Sequence, residues 1–231
     1  MLAPTDRATV PEVNIADVPT PPATAEYFSI ASSRNAQDSR AVTSDPREQF
    51  TMVTGWPRVE AQVLDFVHKG KKSVKLGVYN IGWNKGLGML KDRIAHGVNV
   101  FIVGDERQFL KRSVKMGPDF IKQLLAAGRA GPGRFEWKLW KGSSETRRQN
   151  AYSTGYEPAL HCKFGIVDDR VCWHGSFNHT DNSADERESV MFTNVPLAVA
   201  ETASIFDELW SEARYGVPGD LQLAASSYLQ R

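Results

Sequence analysis

Between Pro57 and Trp140 the hydrophobic period of the sequence switches repeatedly, and that alternation limits the fold more than any other feature. In PRVEAQVLDFVHKG, Val59, Val63, Phe66 and Val67 fall at i, i+4, i+7 and i+8, one apolar stripe of a helix. Pro57 suits its first turn and Gly70 its end. SVKLGVYNIG (73–82) then alternates as a strand does, with Val74, Leu76 and Val78 on one face. A second helical stripe, Leu87, Leu90 and Ile94, occupies 86–96 and stops at Gly97. VNVFIV (98–103) is a continuous apolar run, the pattern of a strand covered on both faces. A further helix fits 118–127 between Pro118 and Gly128, and FEWKLW (135–140) reads as another strand. Strands alternating with helices of this length predict an α/β fold, with a mixed, mainly parallel sheet flanked by helices on both faces.

Composition sets the domain boundaries. A chain of 231 residues that is 41% hydrophobic can bury one sizeable core. Residues 1–48 are rich in Pro, Thr, Ala and Ser and are expected to form a flexible or loosely docked extension. The folded domain is expected over 49–215, with a tail at 216–231. Two cysteines do not make a disulfide framework, and no apolar run approaches the length of a membrane span. No stable membrane insertion is therefore expected. The N-terminus lacks an apolar signal core, so a cytoplasmic location or export by a non-classical route is expected. With 28 basic and 27 acidic residues, bulk charge does not mark a chain that coats nucleic acid, although a local basic face is compatible with these numbers.

The stretch KGSSETRRQNAYSTGYEP (141–158) is polar and has no apolar period, so it is expected to be a long loop. Its Arg147 and Arg148 are candidate phosphate-backbone contacts, weighed equally against ordinary solvated arginines. The loop leads into HCKFGIVDDRVCWHGSFN (161–178), which reads as two strands, Leu160 to Val167 and Val171 to His174, joined by a turn at Asp168, Asp169 and Arg170. Residues two apart on a strand share a face, so His161 and Lys163 project together. Ser176 and Asn178 do so as well if the chain stays extended past Gly175. An imidazole beside an ammonium, a hydroxyl and an amide is suited to attack on a phosphodiester, with Lys and Asn stabilising the non-bridging oxygens.

HCKFGIVD, six further residues and GSFN fit the pattern HxKxxxxD–x6–GSxN, and the chain resembles the phospholipase D superfamily over roughly residues 50–213. VYNIGWNKGLGMLKDRIAHGVNVFIVGD resembles that family's first βαβ unit, and ERESVMF with the helix ending FDELW resembles its closing strand and helix. The resemblance implies that His161 is the nucleophile, that Lys163 and Asn178 hold the phosphate and that Ser176 and Gly175 support the pocket. Asp168 would brace local structure. Glu188 would accept a hydrogen bond from the other ring nitrogen of His161, with Glu186 as the fallback. No metal or cofactor is expected. In this family one histidine attacks and a second protonates the leaving oxygen. Many members carry the motif twice, and here it occurs once, which implies a homodimer sharing one site. Asn80 stands where the resemblance leads one to expect Ser or Thr.

Cys162, Cys172, His174 and His179 are of zinc-ligand type. No CxxC pair accompanies them, however, and both cysteines are expected as small core residues. The tryptophans are expected in the core or at a dimer contact. Three functions stand in order: an endonuclease acting on DNA or RNA through a phosphohistidine, a phospholipase D or cardiolipin hydrolase, and a nucleic-acid-binding module without turnover. The short chain, single motif and basic loop favour the first.

Overall fold

A computed structural model of the chain describes residues 49–110, 117–142 and 159–217. The extension 1–48, most of the polar loop with Arg147 and Arg148, and most of the C-terminal tail lie outside the described residues. The described residues form eight strands: β1 (Phe50–Thr54), β2 (Ser73–Val78), β3 (Asn99–Asp105), β4 (Phe135–Trp140), β5 (Lys163–Val167), β6 (Val171–Gly175), β7 (Ser189–Thr193) and β8 (Arg214–Tyr215). They form one sheet in the order β1-β7-β6-β5-β2-β3-β4-β8. The helices are α1 (Trp56–Lys69), α2 (Asn84–Ala95), α3 (Glu106–Leu110), α4 (Gly117–Ala130) and α5 (Pro196–Glu212).

The apolar stripes do what their spacing predicts. Val59 and Val63 of α1, Leu90 and Ile94 of α2, and Ile121 and Leu124 of α4 pack with Val74, Leu76, Val100 and Ile102 on one face of the sheet. Each such fully buried side chain contributes roughly 1.5–3 kcal/mol. Val199 and Phe206 of α5 cover the other face with Phe164, Ile166 and Cys172. All of β5 is buried because helices lie above and below it. This is the expected α/β sheet with helices on both faces.

The expectation of a mainly parallel sheet is corrected. Among these eight strands only β2–β3 and β3–β4 pair in parallel. The ladders β1–β7, β2–β5, β4–β8, β5–β6 and β6–β7 are antiparallel. Parallel neighbours need a crossover, which α2 and then α3 with α4 supply, whereas the short turn after β5 admits only an antiparallel return. In that turn Asp168 and Asp169 have φ of 57° and 52°, the left-handed conformation that a tight hairpin requires. Strands β1 and β8 at the two edges are not visible in the hydrophobic pattern. Their residues are mostly exposed and carry no alternating core face.

Of the two cysteines, Cys172 is buried as expected, but Cys162 is exposed. It lies in the segment before β5, which begins only at Lys163, so no core closes over it. Trp83, Trp137 and Trp173 are core residues. Among the described residues no helix is long and apolar enough to cross a membrane.

Candidate active site

The antiparallel pairing of β2 with β5 sets Val78 opposite Lys163, so the carboxyl end of β2 meets the amino end of β5. On the other side of β5, β6 ends at Gly175, which pairs with Val190 near the start of β7. These strand ends surround a cleft of about 520 Å³ lined by His161, Lys163, Gly175, Ser176, Asn178, Glu186, Arg187 and Glu188. Every residue expected at the chemistry and described by the structure therefore reaches one hollow. Asp168 alone does not. It borders a separate hollow of about 430 Å³ with Lys69, Asp169 and Arg170, at the far end of β5.

Gly175 has a steric reason to be glycine. A Cβ there would meet the Ser189 carbonyl oxygen at 2.2 Å and Val190 Cα at 2.7 Å. Ser176 then crosses to β7: its N–H donates to the Ser189 carbonyl at 3.0 Å and its hydroxyl accepts the Ser189 N–H at 2.9 Å. The same hydroxyl donates to Glu188 Oε2. Glu188 is 2% exposed and its Oε1 has no hydrogen-bond partner. The expected Glu188–His161 hydrogen bond is thus absent from the single chain. The carboxylate is held by Ser176, while the His161 ring turns toward β2 and meets the Tyr79 ring edge to face at 4.7 Å.

Lys163 is buried with its ammonium at the cleft, donating to the His161 carbonyl at 3.1 Å. Burial holds its pKa below the ordinary lysine value, and Cys162, Glu188 and Glu186 offset this only in part. The Lys163 Nζ also lies 5.0 Å from the Tyr79 ring centroid. Asn178 presents a buried Oδ1 that is not hydrogen-bonded. Next to it, His179 is 1% exposed with φ of 51°, enclosed by Trp83, Trp173 and Phe177. Burial first, then the Lys163 charge, push its pKa down to about 3, so the ring is neutral. Among the described residues no three His, Cys, Asp or Glu side chains stand together as a metal-binding group.

Asp168 braces the fold. Its Oδ1 accepts the backbone N–H groups of Lys72 at 2.7 Å and Ser73 at 2.9 Å, and its Oδ2 that of Lys71 at 2.8 Å. Three neighbours of the site escaped the sequence reading: Tyr79, Asp105 and Gln108. The one available signal was Asp105, an acid closing the apolar run VNVFIVGD, where a strand end calls for explanation.

Residues 63–210 match the family described as "Cardiolipin synthase, PLD-like domain". The chain belongs to this phospholipase D-like family. Its fold is similar to that of Nuc, a phospholipase D family member from Salmonella typhimurium, at 19% identity and a TM-score of 0.58, covering 73% of this chain and 99% of that one. NucT from Helicobacter pylori is similar at 16% identity and a TM-score of 0.61, with coverage of 73% and 99%. Phosphatidylserine synthase from Haemophilus influenzae shares the fold at 12% identity and a TM-score of 0.53, covering 78% of this chain but 45% of that chain. A search of the curated proteins found no match.

Proposed function

We propose that the domain over 49–215 is a metal-independent phosphodiesterase, an endonuclease that hydrolyses DNA or RNA through a phosphohistidine at a site shared by two copies of the chain. The observation that carries this reading is the convergence of His161, Lys163, Ser176 and Asn178 on one open cleft, backed by buried Glu188. A neutral His161 imidazole would attack phosphorus, forming an N–P bond as the P–O bond to the leaving oxygen breaks. His161 of the second copy would give that oxygen its proton, then take one from the water that cleaves the N–P bond. Lys163 and the Asn178 amide would hold the non-bridging oxygens as charge builds on them. No step calls for a Lewis acid.

Coverage supports the shared site. One domain of this chain spans nearly all of Nuc and NucT but less than half of the phosphatidylserine synthase. A single-unit chain holds one such histidine and needs a second copy to supply the other. The family description names cardiolipin synthase, so phospholipid is the second substrate to test.

The test is incubation of the full chain with plasmid, single-stranded DNA, RNA and labelled phospholipid vesicles, each in excess chelator. Nucleic-acid cleavage that persists under chelation and disappears in His161→Ala is the expected result. Cleavage abolished by chelation would overturn the mechanism, release of lipid alone would move the assignment to phospholipid, and binding without turnover would make the domain a binding module.

A further inference from the structure

We infer that Tyr79, Gln108 and Asp105 form a positioning relay that fixes the His161 ring, and that Tyr79 acts on the chemistry only through that histidine. The inference rests on His161 being the nucleophile. His161 needs such a device because it lies outside the sheet: it is exposed, it precedes the first residue of β5, and its expected carboxylate partner Glu188 is bonded elsewhere. What holds the ring is Tyr79, the residue after the last of β2, whose own ring stands 4.7 Å away at an interplanar angle of 72°. Edge-to-face pairs at such distances are worth roughly 0.5–1.5 kcal/mol beyond burial, enough to select one rotamer.

Tyr79 is itself held. The Gln108 side-chain amide donates to the Tyr79 hydroxyl oxygen at 2.6 Å. Gln108 sits in α3, and its backbone N–H donates to Asp105 Oδ1 at 2.8 Å. The other oxygen of Asp105 accepts the Leu160 N–H at 2.7 Å, and Leu160 is the residue before His161. One carboxylate, 2% exposed, therefore secures both routes to the nucleophile, by backbone through Leu160 and by side chain through Gln108 and Tyr79. The Lys163 ammonium lies 5.0 Å from the same Tyr79 ring, so fixing the His161 ring also fixes it relative to the ammonium that must meet the same phosphate. None of the three relay residues lines the cleft, which separates positioning from contact with substrate.

The experiment compares wild type, Tyr79→Leu, Tyr79→Phe, Gln108→Ala and His161→Ala for kcat and KM on nucleic acid. The order parameter of the ring Cδ2–Hδ2 of His161 is measured by NMR on the same proteins. Tyr79→Leu is expected to lower kcat by about 10- to 100-fold with KM within about twofold, because misplacement of roughly an ångström has that effect. Tyr79→Phe keeps the ring but loses the Gln108 bond, as Gln108→Ala does, so both are expected to stay within about fivefold of wild type. The His161 order parameter is expected to fall from the rigid range toward about 0.6 in Tyr79→Leu and to recover in Tyr79→Phe. An unchanged order parameter in folded Tyr79→Leu overturns the inference whatever the substrate. Wild-type kcat in Tyr79→Leu beside an inactive His161→Ala also overturns it while leaving the proposed function standing. An active His161→Ala overturns the proposed function instead.

Discussion

The Ser176 hydroxyl donates to the buried Glu188 carboxylate and in the same place accepts the Ser189 N–H, so one side chain joins the end of β6, the start of β7 and the acid behind the cleft. Removing it by Ser176→Ala leaves Glu188 buried with neither oxygen bonded. The expected cost is about 1–3 kcal/mol in urea unfolding, the penalty of a buried acceptor that loses its donor. Adding Glu188→Gln relieves part of this, so the double variant should be more stable than the sum of the singles by about 0.5–3 kcal/mol. Strict additivity would contradict the coupling.

Gly175 and Gly88 make a paired test of backbone approach. Gly175→Ala forces a Cβ against the Ser189 carbonyl and should destabilise the protein by about 1–3 kcal/mol or more, while parting the strands that carry Ser176. Gly88 lies within α2, and a Cβ there has no atom within 4 Å. Gly88→Ala should add up to about 1 kcal/mol through helix propensity. Thermal melts of the two variants check both signs.

Acid stability should depend on His179. Burial and the Lys163 charge depress its pKa to about 3, below the unfolded value of roughly 6.5. Below about pH 6.5 the unfolded chain takes up a proton that the native ring refuses. Stability that is complete above that pH is therefore lost progressively down to about pH 3, by up to about 1.4 kcal/mol per pH unit. His179→Phe keeps an aromatic ring among Trp83, Trp173 and Phe177 and should flatten this slope in urea titrations at pH 7, 6 and 5.

Asp168 predicts a second acid dependence at lower pH. Burial alone would raise its carboxyl, but the N–H groups of Ser73, Lys71 and Lys72 and the Lys72 charge outweigh this and hold it below the usual carboxylate range. A depressed acid stabilises the native state above its unfolded pKa, and that contribution fades as pH falls through the folded value. Asp168→Asn tolerates the left-handed turn yet loses the charge, so stability at pH 7 should drop by about 1–2 kcal/mol while the difference from wild type narrows at low pH.

If two copies share one site, mixing should expose it. Equal amounts of wild type and His161→Ala, unfolded and refolded together, would yield about a quarter wild-type pairs by random assortment. Specific activity should then fall to about a quarter, whereas independent sites would leave about half.

Much of the fold is legible along the chain because helices and central strands bury one face and so repeat with a period. Val59, Val63 and Val67 announce α1, and FEWKLW delimits β4 to the residue. The edge strands β1 and β8 escape because exposed residues such as Phe50, Met52 and Tyr215 carry no such pattern. Strand direction escapes too, since an apolar run reads alike in parallel and antiparallel partners. At the site, the spacing of HCKFGIVD and GSFN brings His161, Lys163, Ser176 and Asn178 to one cleft because a short hairpin holds them. Tyr79 and Asp105 come from distant parts of the chain, and only the β2–β5 and β3–β2 registers bring them near. The Ser176–Glu188 bond is not legible in the sequence, because adjacency to a motif does not say which of two polar neighbours a carboxylate will choose.

The acid within the signature has a role that its company obscures. Asp168 grips residues 71–73, the very ones that launch β2 along β5, and Val78 then arrives opposite Lys163. A slip of one residue there would turn Lys163 from the cleft and send Tyr79 to the wrong side of the sheet. The aspartate at the silent end of β5 thus acts as an alignment pin. A relative with no chemistry in the cleft would still have cause to keep it.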